Sequence, residues 1–235
     1  MNKEYLRNIQ RLLENLESTQ EQVIDQVAEA CAECIFNGGL LYFFGTGHSH
    51  MICEEPFYRA GGLASIYPIL ESDLMLHEGA SKSSSYERIE GLGNVVVSHT
   101  PLGKGDVLFL ISNSGRNCAI IDAALEAKKR GAITVAITSM NHTTSVTSRH
   151  SNGLNLYQVC DFVLDNGGIV GDASVQLEGM SQKIAPTSSV IDITLVNTVL
   201  VNTVELLLKK GMKPPVFTSA NKNILETYKP RIPSL

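Results

Sequence analysis

Excess positive charge is the first thing missing from this chain. Its 19 Lys and Arg face 24 Asp and Glu, a formal net charge of −5 in 235 residues. Surfaces that grip nucleic acid or anionic lipid need surplus Lys and Arg, so neither partner is expected. No basic helix-turn-helix module stands out either. An unbroken apolar run of membrane-spanning length is also lacking. The longest candidate, Val190 to Leu208, is interrupted by Asp192, Asn197, Asn202 and Glu205, and it reads as a buried or interfacial helix. Met1 to Arg7 mixes charges without an apolar core, unlike a signal peptide, so a cytoplasmic location is expected. The five cysteines (Cys31, Cys34, Cys53, Cys118, Cys160) are scattered. Cys31 and Cys34 have CxxC spacing inside a helical pattern, with no second pair to complete a zinc site. Buried free thiols are expected, and no metal or other cofactor is called for.

What the chain does have is enough length and enough apolar residues, 43%, for one α/β domain with a full core. Two apolar runs each end in small polar residues. Leu40-Leu41-Tyr42-Phe43 leads into Phe44-Gly45-Thr46-Gly47-His48-Ser49, and Val107 to Ile111 leads into Ser112-Asn113-Ser114-Gly115-Arg116-Asn117. A buried strand, a hydroxyl-rich turn and a following helix bring backbone N–H groups, a positive dipole end and hydroxyl donors together. That combination suits a phosphate dianion. Two such loops on neighbouring strands of one parallel sheet point to a phosphorylated small molecule.

Along the chain, apolar spacing predicts two helices in residues 1–36 and strands over 40–44, 64–70, 94–98, 107–111, 132–138 and 159–164. Helices are expected from Ser49 to about Arg59, briefly over 86–92, over Ala119 to Arg130, and from the Ala185 to Ser189 cap to about Lys210. Residues 71–85 read as a long loop, and 211–235 as a polar tail ordered on a neighbouring subunit. The strand–helix–strand unit over 107–138 implies a right-handed parallel crossover. The expected fold is a three-layer α/β sandwich, flavodoxin-like, around a parallel five-stranded sheet. Residues 1–36 would serve packing or oligomerisation, and 37–210 would form the domain proper. The apolar faces of the N-terminal helices and of residues 190–208 exceed what one sheet covers, so a homodimer or tetramer is expected.

At these residues the chain resembles the sugar isomerase (SIS) domain family. Gly45-Thr46-Gly47-His48-Ser49 matches its Gly-x-Gly-x-Ser turn, and Ser112-Asn113-Ser114-Gly115 its Ser-x-Ser-Gly phosphate loop. Asn117 stands where that family usually has Ser or Thr, and Pro186-Thr187-Ser188-Ser189 looks like its third element. The layout is similar to the bacterial UPF0309 group. Phosphoheptose isomerases and N-acetylmuramic acid 6-phosphate etherases are the nearest groups of known chemistry. The resemblance implies a dimer whose neighbouring subunits line the pocket, and a sugar phosphate held by Gly45, Thr46, Gly47, Ser49, Ser112, Asn113, Ser114, Arg116, Asn117, Thr187, Ser188 and Ser189. The His and Gln that phosphoheptose isomerases carry near their C-terminal helix have no counterparts around Pro186, which argues against heptose isomerisation.

Both isomerisation and elimination need an acid–base pair, which Glu or His can supply. Candidates near the loops are Glu54, Glu55, Glu87, Glu90, His48 and His77. The expected activity is a phosphosugar isomerase or lyase, and the alternative is a non-catalytic sugar-phosphate sensor. Gly45-x-Gly47 followed by Glu71 also resembles a dinucleotide fingerprint, but His50 stands where a third Gly is required.

Overall fold

A computed structural model of the chain describes residues 3–218 and 231–232. The N-terminal segment forms one helix rather than two, α1 (Glu4–Phe36). The polar stretch between its apolar repeats contains neither Gly nor Pro, so nothing there costs enough to stop a helix. It ends where Gly38 takes φ +78°, open to glycine without steric cost. Strand β1 (Leu41–Gly45) follows, then a short 3-10 turn and α2 (His50–Glu54). Helix α2 stops well before Arg59: Glu55 still has helical backbone (φ −53°, ψ −49°), but Pro56 has no N–H to carry the hydrogen-bond ladder on. Next come β2 (Ile66–Ile69) and α3 (Ala80–Tyr86), so the expected long loop is partly helical.

Val95-Val96-Val97 lies in a helix, α4 (Leu92–Ser98), where a strand was expected. Packing overrides β propensity here. A Cβ on Gly93 would lie 2.0 Å from the Ala119 carbonyl oxygen, so only Gly lets this segment press against the next helix. The expected short helix over 86–92 is absent, since those residues mostly form turns between α3 and α4. Strand β3 (Val107–Ile111), α5 (Cys118–Lys129) and β4 (Ile133–Thr138) form the anticipated unit. They are followed by α6 (Met140–Thr143), α7 (Leu156–Val159) and β5 (Phe162–Asp165). An unforeseen antiparallel hairpin, β6 (Ala173–Val175) with β7 (Ile184–Pro186), precedes α8 (Ser188–Lys209).

The five main strands are parallel in the order β2-β1-β3-β4-β5. Both faces are covered, which is why β1 and β3 read as continuous apolar runs. Leu41, Phe43, Val107 and Phe109 face the layer of α1 and α8. Leu40, Tyr42, Leu108 and Leu110 face the layer of α4 and α5. The Phe43 and Phe109 rings stack at 4.6 Å between centroids. Helix α8 is long and apolar enough to cross a membrane, yet it buries Ile191, Leu195, Val196 and Val199 in the core. All five cysteines are unpaired, and burial pushes the Cys34 and Cys160 thiols up to about 12.

Of the expected tail, residues 219–230 and 233–235 lie outside the described residues. Residues 211–218 bond to their own chain: Ala64 N–H donates to the Pro215 carbonyl and Phe217 N–H to Gly62, at 2.8 and 2.9 Å. Arg231 clips Asp106 at 3.1 Å.

Candidate functional site

Strand order reverses between β1 and β3, and open α/β sheets bind ligands beside such a switch point, at the strands' carboxyl ends. Gly45 and Ile111 pair in register, so Thr46 and Ser112 leave adjacent strands, which run about 4.8 Å apart. The second loop is a tight turn. Ser112 Oγ accepts from Gly115 N–H at 3.1 Å, and Gly115 takes φ +59°. A Cβ there would lie 3.0 Å from Thr143 Oγ1. Asn117 precedes α5 in extended backbone without capping it. Its Oδ1 instead accepts from Arg149 Nη1 at 2.6 Å. In the first loop, Gly45 has no room for a side chain, since a Cβ would meet the Ser49 carbonyl oxygen at 2.7 Å.

Of the candidate acids and bases outside the loops, only Glu87 shows a side-chain hydrogen bond to a residue of either loop among the described residues. Thr46 Oγ1 donates to Glu87 Oε2 at 2.8 Å. The Glu87 backbone carbonyl accepts from Ala119 N–H in the first turn of α5 at 3.0 Å. One residue thus ties the Thr46 loop to the helix that follows the Ser112 loop. His77 is exposed, with its ring edge-on to His50 at 6.1 Å between centroids. Buried His50 bonds through Nδ1 to the Gly47 carbonyl, with Nε2 3.5 Å from Glu54. The sequence offered His50 only as the place of a missing glycine. His48 is exposed at the loop tip.

Two of the candidate acids are bonded outside the two loops. Glu55 pairs with Arg59 and lines a groove against α8 with Pro56 and Val201, rather than turning back to the loops. Glu90 bonds to the backbone and hydroxyl of Ser151, which hold its carboxyl below the usual range.

The third hydroxyl element is also already engaged. The Asp172 carboxylate accepts from Thr187 N–H (2.9 Å), Thr187 Oγ1 (3.2 Å), Ser188 N–H (2.9 Å) and Ser188 Oγ (2.5 Å). Asp172 reaches them from a left-handed backbone, φ +66°. Ser189 is half-buried beside them. One turn on, buried Asp192 accepts from Asn166 Nδ2 at 2.8 Å, and the same amide donates to Asn113 Oδ1 at 3.0 Å. Burial pushes the Asp192 carboxyl up to about 7, with Asn166 opposing and Asp172 adding to the rise.

Most clearly missed by sequence reasoning are two arginines, Arg88 and Arg149, distant in the chain from the expected Arg116. Arg149 N–H donates to the Arg116 carbonyl at 2.9 Å, which sets the two side by side, and Arg88 follows Glu87. Burial, then the positive neighbours Arg116 and Arg88, lower the Arg149 pKa, while Glu87 opposes. Nothing in sequence spacing joins positions 88, 116 and 149. Cavities of about 800 and 560 Å³ lie elsewhere: one at the amino end of the strands near Cys34, Ile133 and Phe162, the other between the end of α2 and α8. Among the described residues no group of His, Cys, Asp and Glu could hold a metal ion.

A profile described as SIS domain matches residues 4–139. The chain belongs to the SIS domain family. It is 43% identical to a UPF0309 protein of Halalkalibacterium halodurans across 97% of this chain and 95% of that relative. Among solved structures, phosphoheptose isomerase GmhA from Neisseria gonorrhoeae superposes with a TM-score of 0.56 at 15% identity, covering 87% of this chain and 95% of that one. The Vibrio vulnificus NanR protein complexed with ManNAc-6P gives 0.56 at 18%, covering 98% and 68%. These distant likenesses share the fold: a SIS α/β sandwich on a parallel five-stranded sheet.

Proposed function

We propose that this SIS domain binds a sugar phosphate at the carboxyl ends of β1 and β3 and acts on it as an isomerase or lyase, with Glu87 as the base. The observation that carries this reading is the position of Glu87, bonded to the Thr46 loop through its side chain and to α5 through its backbone. The phosphate belongs on the Ser112 to Asn117 turn, where hydroxyls, N–H groups and Arg116 replace its water shell. A sugar anchored there extends toward Thr46 and Glu87. The Thr46 hydroxyl fixes the rotamer of the carboxylate, which takes a proton from carbon beside the carbonyl and returns it to the neighbouring carbon or leaves it off as a substituent departs. His48 in the first loop, and His77 beside His50, serve ring opening. The protein works in the cytoplasm as a homodimer or tetramer. Supporting this, Val190, Val201 and Leu208 stay exposed along α8 at 41%, 66% and 59%, an apolar stripe that suits a second copy.

A phosphosugar panel in deuterated water, read by NMR, tests the reading. Exchange at carbon next to the carbonyl, or an elimination product, is expected, and Glu87→Gln should abolish it while binding persists. Tight binding of several phosphosugars without exchange would replace the enzyme by a sensor. Monomeric light scattering at micromolar concentration would remove the oligomer.

A further inference from the structure

Between the two serines of the second loop stands Asn113, held from two other strands. Its backbone carbonyl accepts from Ser139 N–H at 3.2 Å and from Thr138 Oγ1 at 3.1 Å, both at the end of β4. Its side-chain Oδ1 accepts from Asn166 Nδ2 at 3.0 Å. Asn166 directly follows β5 and is buried. Its own N–H donates to the Thr138 carbonyl at 3.0 Å. The carboxyl ends of β4 and β5 thus fix one residue of a turn that leaves β3.

The neighbours of Asn166 decide which way both amides face. Gly168 N–H lies 2.9 Å from it and, being a donor, requires the amide oxygen. A Cβ on Gly168 would also lie 2.9 Å from that oxygen, so this end of the network admits no side chain. The NH2 group is left for the two remaining partners, one hydrogen each: Asp192 Oδ1 at 2.8 Å and Asn113 Oδ1 at 3.0 Å. Asn113 must answer with an acceptor, so its oxygen turns to Asn166 and its Nδ2 turns away. That Nδ2 bonds to no described residue and is open to solvent. Both orientations follow from one backbone N–H, whose role as donor is fixed.

Orientation matters in an anion site. A free amide can present either end, and only the NH2 end donates to a phosphate, whereas the oxygen repels it. We infer that Asn166 is a positioning residue of the phosphate site: anchored by Asp192 and Gly168, it locks the Asn113 amide with its NH2 group toward the bound anion. This role rests on the phosphate reading above and adds to it a residue 53 positions away in the chain that touches no ligand. It also gives Asp192 a task at the site, since its carboxyl takes one N–H of Asn166 and leaves the other for Asn113.

Nitrogen-edited NMR of the wild-type protein reads the side-chain amides directly. Titration with inorganic phosphate should move the Asn113 Nδ2 protons, assigned as the pair lost in Asn113→Ala. Calorimetry with the same probe supplies a double-mutant cycle. Asn113→Ala should weaken phosphate binding about tenfold, the scale of one hydrogen bond to a charged group. Asn166→Ala should weaken it about three- to tenfold, and the double variant no more than Asn113→Ala alone, because Asn166 acts only through Asn113. A merely structural Asn166 would add its loss in the Asn113→Ala background as well. If Asn166→Ala fails to fold, the wild-type titration still decides. Asn113 amide protons that stay put while the Ser114 N–H moves, or additive losses in the cycle, overturn the proposal. Ser114→Ala separates the two levels. Phosphate binding that this variant weakens, with the Asn113 amide unmoved, keeps the site and removes the role of Asn166. A wild-type protein that binds no phosphate removes both.

Discussion

Two helix starts in this molecule have nearly the same chemistry and opposite fates. Helix α5 follows Ser112-Asn113-Ser114-Gly115-Arg116-Asn117, and α8 follows Pro186-Thr187 and opens with Ser188-Ser189. Each offers hydroxyls and N–H groups at a positive dipole end. At α8 the chain supplies its own anion, Asp172, which takes four of those donors. At α5 it supplies cations and a carbonyl instead, Arg149 on Asn117 and Glu87 on Ala119. Hydroxyls ahead of a helix therefore do not announce a ligand. What separates the two starts is whether a carboxylate from elsewhere in the chain has already arrived.

Four measurements bear on that contrast. The largest effect belongs to Asp192, which links the two regions through Asn166. Its folded carboxyl is pushed up to about 7 from an ordinary 3.8. Between those values the unfolded chain is ionised there and the native chain is not. Native protein then binds the extra proton, so this contribution is complete below about pH 4 and declines as pH rises toward 7. The loss is up to roughly 4 kcal/mol. Urea midpoints should fall more steeply over that range for wild type than for Asp192→Asn, and parallel curves would mean the carboxyl is ionised throughout.

Next in size, Asp172→Ala leaves the α8 donors without their acceptor and should cost about 2–3 kcal/mol in thermal or urea unfolding. An unchanged midpoint would erase the distinction between the two helix starts. Ser114→Ala should do the reverse, weakening sugar phosphate binding by about 1–3 kcal/mol with little change in unfolding. Smallest is Ser188→Ala, about 1 kcal/mol of stability, with phosphosugar affinity unchanged. A clear loss of affinity there would return α8 to the binding site.

The layers were legible in the sequence because they rest on local patterns. Continuous apolar runs gave β1, β3 and β4, and Gly-rich turns located their ends. Failures came where long-range packing decides. Val95-Val96-Val97 favours a strand until Gly93 docks on α5. The β6–β7 hairpin is too short for periodicity to reveal, with only Ala173–Val175 and Ile184–Pro186 paired. At the candidate site, the two loops stood out by composition, and their adjacency followed from parallel strand order. Asp172, Asp192 and Arg149 were invisible, because each acts through partners at least 15 residues away in the chain, as Asp172 does with Thr187 and Arg149 with Asn117. Among six acid–base candidates, spacing could not separate Glu87 from Glu55. Only the direction of each side chain does.

Helix α1 runs 33 residues, about 50 Å, and its main partner is α8. Tyr5 donates to the Pro186 carbonyl and Asn8 to that of Ser174, so its first turns also hold the hairpin. Everything α1 packs on at those points is made late. At the usual 5–20 residues per second, roughly 8 to 30 s separate the emergence of residue 36 from that of residue 188 on the ribosome. Through that interval the amphipathic helix lacks its main partner and has chiefly the strands β1, β3, β5 and β6 to pack on. A chain released before α8 is complete would display much of the apolar face of α1 to whatever chaperone or protease reaches it first.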